Sequence, residues 1–170
     1  MLFNLNPKTT VAVLALVALL VLGMAIPRCH GAEVTDAPYV QISGGSTVVR
    51  GPAPVLDLTF TEKSPQLRNA FFSESLTVIG TSTFRGQSVP NNFVLRGLFL
   101  DGFGRFDVGL GISWMQNPGP YNGSPFNANL QFDYRFRVLP ITITYTHLSN
   151  AGSRLPNYGR DILLAGWRFR

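Results

Sequence analysis

The sequence predicts an all-β protein: an eight-stranded antiparallel transmembrane β-barrel preceded by an N-terminal signal peptide. Three observations support this fold class. An uncharged apolar segment lies near the N-terminus, and much of the remaining chain alternates apolar and polar residues with a period of two. The composition is also unusual for a soluble domain. Of the 170 residues, 45% are hydrophobic and only 14% are charged, against about 25% charged residues in typical soluble domains.

Residues 1–32 have the three parts of a secretory signal peptide. Lys8 lies ahead of an uncharged apolar run over residues 10–26, and small residues follow it. Cleavage after Ala32 or after Ala25 fits this arrangement. An uncleaved membrane anchor is the alternative, although the apolar run is shorter than the ~20 residues that a comfortable span needs.

Charge and cysteine content exclude several classes of protein. The chain has one Cys, which excludes a disulfide framework and a zinc site built from several thiolates. Cleavage beyond that Cys leaves one His and no Cys, so neither a metal nor another cofactor is expected. Removing residues 1–32 also lowers the excess of positive charges from five to three. Because these charges are mostly scattered singly, nucleic acid is not an expected partner.

Residues 33–170 form one predicted domain, the barrel, in which no helical period and no internal repeat occurs. Alternation is clearest over 126–138, where an apolar face opposes a polar one, and it recurs over 105–114 and 141–147. Successive side chains of a strand point to opposite faces, so each segment has one apolar and one polar face. Five less regular candidates bring the predicted strands to eight: 38–43, 54–62, 74–84, 91–100 and 160–169.

Two architectures fit such strands: a soluble lipocalin-like barrel with an apolar interior, and a transmembrane barrel with an apolar exterior. The apolar faces are rich in aromatic residues, and most strands have about the ten residues that cross a bilayer. The chain also ends in an aromatic strand, 163–169, which resembles the C-terminal strand of bacterial outer-membrane proteins. These features favour the membrane barrel. A barrel of eight strands is filled by side chains, so a pore function is not expected. The charged residues predicted to face its lumen are Arg105, Asp107, Asp133, Arg135 and Arg137.

One histidine remains after the signal peptide, His147, and its neighbours suggest a hydrolytic site. Ser149 lies two residues on and would project from the same face of an extended strand. If residues 150–160 connect two strands of a hairpin, Asp161 opens the next strand close to His147. All three residues share the parity of the lipid-facing side chains, which predicts a site on the outer barrel wall near the membrane rim. The alternative for a lone histidine is a hydrogen-bonded structural role.

These residue types fit nucleophilic catalysis. A serine hydroxyl needs a base in contact, imidazole accepts a proton near neutral pH, and a carboxylate on the other ring nitrogen orients the imidazole. A tetrahedral intermediate also needs hydrogen-bond donors for its oxyanion. The candidate donors are Asn150, Gly152 and Asn157, although Asn and Gly are also ordinary turn residues.

The segment around these residues resembles a known family. His147-Leu148-Ser149-Asn150-Ala151-Gly152, followed by Pro156-Asn157, Gly159 and Asp161, resembles the active-site segment of the bacterial outer-membrane lipid A 3-O-deacylases, the PagL family. The family pattern is His-x-Ser-Asn-Ala-Gly, then Pro-Asn-x-Gly and an acidic residue. That last residue is usually Glu, where this chain has Asp161. The specific match covers about fifteen residues.

The resemblance implies a serine esterase, a carboxylic ester hydrolase that removes the acyl chain ester-linked at position 3 of lipid A. Ser149 would be the nucleophile, His147 the general base and acid, and Asp161 the orienting acid. Lipopolysaccharide in the outer leaflet of the bacterial outer membrane would be the substrate, and a homodimer is left open. Two other interpretations remain: a catalytically inactive structural or adhesive barrel of the same family, and a soluble periplasmic lipocalin-like binder.

Overall fold

The computed structural model describes residues 38–48, 51–63, 70–103, 105–136, 138–153 and 157–169. The predicted signal peptide, residues 1–32, lies outside these ranges, as does Arg137 of the predicted lumen. Within these ranges no helix is both long enough and apolar enough to span a membrane.

Ten β-strands and one short helix form the regular structure of the described residues, and eight of the strands close into a barrel. In chain order the strands are β1 (Tyr39–Thr47), β2 (Pro54–Lys63), β3 (Ala70–Ile79), β4 (Ser82–Phe84), β5 (Gln87–Val89), β6 (Asn92–Phe103), β7 (Phe106–Met115), β8 (Phe126–Arg135), β9 (Ile141–Ser149) and β10 (Arg160–Phe169). The helix, α1 (Gly119–Asn122), lies between β7 and β8.

The barrel is antiparallel throughout. Its strand order is β1-β10-β9-β8-β7-β6-β3-β2, and pairing of β1 with β2 closes it. Strands β4 and β5 form a separate two-stranded hairpin outside this order. The predicted eight-stranded antiparallel barrel is therefore confirmed.

The predicted strand over 74–84 is divided in the structure. β3 ends at Ile79, and the next residue, Gly80, donates its N–H to the carbonyl of Pro54 over 2.8 Å. Because β2 begins at Pro54, β3 has no neighbour on that side beyond Gly80. The chain leaves the barrel there and turns back as the β4–β5 hairpin.

The first predicted strand, 38–43, is too short. β1 continues to Thr47, which is paired with Ile162 of β10. The alternation ends in the sequence at Gly44 and Gly45, so the continuation was not visible there. Pairing with β10 decides the length of β1, since the ladder of hydrogen bonds continues past the two glycines.

The barrel has a polar interior and an apolar exterior. Buried polar or charged side chains occur on every barrel strand; examples are Gln41, Thr59, Ser73, Arg96, Asp107, Asp133, Thr144 and Arg168. Large apolar side chains are exposed on the opposite faces; examples are Leu56, Leu95, Phe99, Leu110, Ile112, Phe126, Phe132, Trp167 and Phe169. This is the sidedness of a transmembrane barrel, in which lipid covers the outer wall.

The two rims of the barrel differ in their connections. The rim where β1 begins and β10 ends, here the terminal rim, carries the connections 64–69, 104–105 and 136–140. The opposite rim, here the loop rim, carries the longer connections 80–91, 116–125 and 150–159 together with 48–53. Shorter connections at one rim and longer ones at the other are the usual asymmetry of outer-membrane barrels, whose long loops face outward from the cell.

An apolar cluster fills the interior just below the loop rim. Its members are buried side chains from several strands: Ala53, Val55, Ile79, Val94, Met115, Leu148, Ile162 and Leu164. These residues lie near the loop-rim ends of their strands, so the polar lumen is closed there by packed hydrocarbon. Leu148 belongs to this cluster and has no exposed surface, so its side chain points inward.

A buried ion pair in the lumen links two strands that are separated by β3. Arg96 of β6 contacts Asp57 of β2, with 2.6 Å between Nη2 and Oδ1. Arg96 Nη1 also donates to Gln131 and Thr146, over 2.9 and 3.0 Å. Hydroxyl groups on β2 and β3 complete the shell of Asp57, since Thr59 and Thr77 each donate to one of its oxygens. A buried pair with these hydrogen bonds orders the interior, and removal of one member leaves an uncompensated charge.

We expect Arg96→Met to destabilise the barrel by about 3–5 kcal/mol, because Asp57 is then buried without its cation. The measurement is the free energy of unfolding by urea in detergent micelles. Arg105→Met is the matched control. The prediction that Arg105 faces the lumen is wrong, since it lies in the turn between β6 and β7 and is exposed at the terminal rim, so its loss leaves the interior unchanged. Equal stability of the two variants would contradict the role given to Arg96.

Candidate active site

The register between β9 and β10 brings the predicted residues together. His147 is paired directly with Asp161 across the two strands. Leu148 and Ile162, which alternate with them, are buried in the interior cluster. His147, Ser149 and Asp161 therefore lie on the outer face of the wall, near the loop rim, where the sequence predicted them.

His147 and Asp161 form a hydrogen-bonded pair. The distance from His147 Nδ1 to Asp161 Oδ1 is 2.8 Å. Because an ionised carboxylate only accepts, Nδ1 carries the hydrogen and Nε2 is left as the basic nitrogen. Asp161 reaches the ring although its side chain is one methylene shorter than that of Glu, since direct cross-strand pairing brings the two backbones close.

Tyr145 is a further member of this cluster that the sequence did not single out. Its hydroxyl donates to the same oxygen of Asp161 over 2.5 Å. Tyr145 shares the parity of His147 and lies two residues before it. Parity alone placed Tyr145 on the outer face, but only the register with β10 brings its hydroxyl to Asp161.

The hydroxyl of Ser149 points to the 150–159 connection rather than to His147. Ser149 Oγ donates to Asn157 Oδ1 over 3.0 Å, and the same amide oxygen accepts the backbone N–H of Asn150 over 3.2 Å. Among the described residues, Ser149 makes no hydrogen bond to the imidazole. Side chains two apart on a strand share one face, so a hydrogen bond between Ser149 and His147 requires rotation of the hydroxyl about the Cα–Cβ bond.

The three candidate oxyanion donors have different surroundings. The side-chain amide of Asn150 donates to the carbonyl of Asn122, and the N–H of Gly152 donates to Asn150 Oδ1 over 2.9 Å. In this conformation both groups hold the loop together. Asn157 lies beside Ser149, and its NH₂ group makes no hydrogen bond to another described residue. The backbone N–H of Ala151, which the sequence also offered as a candidate, donates to Ser149 Oγ over 3.2 Å.

Asn122 supports the end of β9 from inside the barrel. It is fully buried at the end of α1, and its Nδ2 donates to the carbonyl of Leu148 over 3.0 Å and to Asn127 Oδ1 over 2.8 Å. Its own carbonyl accepts the amide of Asn150. Nothing in the sequence marks Asn122, since it lies 25 residues from His147 in a Gly- and Pro-rich connection.

Three consecutive residues join the 150–159 connection to the site. Asn157 binds Ser149, as described above, and the Tyr158 ring packs on Phe84 of the β4–β5 hairpin. Gly159 lies against the imidazole with a φ of +69°. A Cβ added at Gly159 would lie 2.6 Å from His147 Cε1 and 3.1 Å from Nε2. The segment 157–159 therefore sets the position of both the serine and the histidine.

No metal centre is present in the parts of the chain that the structure describes. No group of three or more His, Cys, Asp or Glu side chains there is arranged to hold a metal ion. The arrangement at the loop rim instead offers a hydroxyl, an imidazole held by a carboxylate, and amide donors. Such a set can carry out nucleophilic attack on an acyl group.

We expect Gly159→Ala to displace the imidazole, because its Cβ would overlap the ring. The rate at which a fluorophosphonate labels Ser149 should fall by roughly 10-fold to 100-fold, since small misplacements of reacting groups are costly. Gly152→Ala is the matched control. Gly152 has a φ of +79° in the same connection but no atom within 4 Å of an added Cβ. If both variants were labelled equally slowly, backbone strain rather than contact with His147 would be responsible.

Comparison with known proteins agrees with this fold. No protein-family model matches the sequence, and no curated protein sequence matches it. Among solved structures, the crystal structure of the outer membrane enzyme PagL is similar, with a TM-score of 0.53 and 16% sequence identity. The similarity covers 78% of this chain and 99% of that chain. The resemblance to PagL that the sequence motif indicated is therefore confirmed at the level of the fold.

Proposed function

We propose that the protein is an outer-membrane serine esterase that removes the 3-O-linked acyl chain of lipid A. One observation carries the proposal: the His147–Asp161 pair lies beside Ser149 on the lipid-facing side of the wall, at the loop rim. An ester bond of a membrane lipid lies at this boundary between hydrocarbon and water. The resemblance of the fold to PagL, an outer membrane enzyme, supports the same location, and the motif around His147 supports the substrate.

The reaction begins with attack of Ser149 Oγ on the ester carbonyl carbon, while His147 Nε2 takes the hydroxyl proton. Asp161 holds the imidazole by Nδ1 and stabilises the imidazolium that forms. The N–H of Ala151 and the NH₂ of Asn157, both next to Ser149, are donors available to the oxyanion. His147 then returns the proton to the departing sugar hydroxyl, which leaves an acyl-serine.

Water completes the cycle. His147 Nε2 accepts a proton from a water molecule as its oxygen attacks the acyl-serine carbonyl, and the fatty acid leaves as Ser149 recovers its hydrogen. Tyr145 donates to Asp161 throughout and keeps the carboxylate in place. The position of the site at the rim gives water access from the outside of the membrane.

The outer wall next to Ser149 suits acyl chains. Ser149 is paired with Ala128 of β8, and Ala128 with Ile112 of β7. Ile112 lines a groove of about 520 Å³ on the outer wall, together with Trp114, Phe126 and other mainly apolar residues. Each step between neighbouring strands spans about 4.8 Å, so the groove lies within the length of a fatty acyl chain from the serine.

We expect Ser149→Ala to lower the release of the 3-linked acyl chain from purified lipopolysaccharide by roughly 10³-fold or more, because no other group forms the acyl intermediate. His147→Ala should have a similar effect. Mass spectrometry of the lipid A product measures the release. Ser153→Ala is the matched control, since Ser153 is an exposed serine of the same connection.

The outcome against the proposal is equally clear. Release of the 3-linked acyl chain by both the Ser149→Ala and the His147→Ala variant would contradict the esterase mechanism. A folded wild-type protein that releases nothing, from any acylated lipid A tested, favours the inactive structural or adhesive barrel instead.

A membrane location predicts that the mature protein stays in the outer-membrane fraction after washing with high salt or osmotic shock. Detergent should be needed for extraction, because the exposed apolar side chains of the outer wall require a hydrocarbon environment. Immunoblotting of the fractions measures the distribution. Release without detergent would support the soluble lipocalin-like interpretation.

A further inference from the structure

Arg85 is held in place by contacts with Tyr158, the residue between Asn157 and Gly159 of the candidate active site. It lies at the turn of the β4–β5 hairpin with a φ of +51°. Its guanidinium carbon is 5.5 Å from the centre of the Phe84 ring and 4.9 Å from that of the Tyr158 ring. Arg85 Nη1 also donates to the Tyr158 hydroxyl over 3.1 Å. Two aromatic rings and one hydrogen bond therefore hold a long, normally flexible side chain in place.

The charge of Arg85 is not neutralised within the described residues. The residue is exposed, and each of its side-chain contacts there is to a neutral group, either an aromatic ring or a phenol hydroxyl. A guanidinium presents five N–H donors in a planar fork, and only one of them is used by Tyr158. The rest are free to bind an anion from the water side of the loop rim.

The same contacts tie Arg85 to the site. Tyr158, on which Arg85 is stacked, lies between Asn157, which binds Ser149, and Gly159, which packs on His147. The cation is therefore attached to the segment that positions the proposed nucleophile and base. Arg85 is also exposed, at the turn of a hairpin that connects β3 and β6 at the loop rim.

We propose that Arg85 binds a phosphate group of the glycolipid whose ester lies at Ser149. This rests on the proposed function and extends it to recognition of the headgroup. Lipid A is a phosphorylated sugar with several acyl chains, so its phosphates lie in the water layer while its chains lie against the barrel wall. Arginine binds phosphate through paired N–H donors, which makes the contact directional as well as charged.

The first experiment compares wild type and Arg85→Gln on lipid A with its phosphates and on enzymatically dephosphorylated lipid A. With the phosphorylated substrate, the KM should rise about tenfold, as expected for loss of a charged hydrogen bond, and kcat should stay the same. With the dephosphorylated substrate, the two proteins should have equal KM. Arg85→Lys should recover part of the loss, because lysine keeps the charge but not the fork. Arg105→Gln, at the terminal rim, is the matched control.

Other outcomes of this experiment overturn the proposal. An equal loss on both substrates means that Arg85 only holds Tyr158 and the 157–159 segment in place. An unchanged KM on the phosphorylated substrate means that it makes no contact with phosphate. Inorganic phosphate, added as a competitor, shows whether the free anion is enough for binding or the lipid-borne group is required.

A second measurement separates this proposal from the proposed function. Binding of phosphorylated and dephosphorylated lipid A to Ser149→Ala protein in detergent micelles needs no catalysis. When Arg85→Gln is combined with Ser149→Ala, binding of phosphorylated lipid A should weaken about tenfold. Binding of dephosphorylated lipid A should not change. That result would support the phosphate contact even if the wild-type protein released no acyl chain. Equal binding with and without Arg85 would overturn it even in an active esterase.

Discussion

The register of β9 against β10 is the constraint on which the site depends. Leu148 and Ile162 point into the interior cluster. Because side chains alternate along a strand, their burial fixes which face each remaining residue of β9 and β10 occupies. A shift of β9 by one residue would exchange its two faces, placing His147 in the lumen and Leu148 outside, away from Asp161. The packing of two apolar side chains thus holds an imidazole and a carboxylate in contact on the outer face of the barrel.

The interior and the exterior of the barrel have different roles. The lumen is filled with a hydrogen-bonded network around Arg96 and Asp57, which connects strands that are far apart in the chain. The outer wall is apolar, with the candidate site at one end of it. The apolar cluster separates this network from the loop rim, and Ser149 lies on the outside of the barrel.

The sequence predicted the fold and much of the site because both depend on local patterns. Alternation with a period of two assigned faces to the strands that carry Trp114, Phe132 and His147, and the barrel confirms those faces. Alternation was weaker at Gly44 and Gly45 and across Gly80, and there the strand ends were misplaced. Contacts that join separate connections could not be predicted. Asn122 and Arg85 reach the site from parts of the chain 25 and 62 residues away from His147, and no periodic pattern marks either.

The sequence by itself determined which residues share the apolar face of each strand, and that His147, Ser149 and Asp161 lie on it, since side chains of a strand alternate whatever its neighbours are. Only the tertiary structure decided which atoms meet. The 2.8 Å contact of His147 with Asp161, the turn of the Ser149 hydroxyl toward Asn157 and the stacking of Arg85 on Tyr158 depend on strand register and on loop packing. Strand register and loop packing are set by closure of the whole barrel, because each strand must form hydrogen bonds with the strands on both sides before its pairing is fixed.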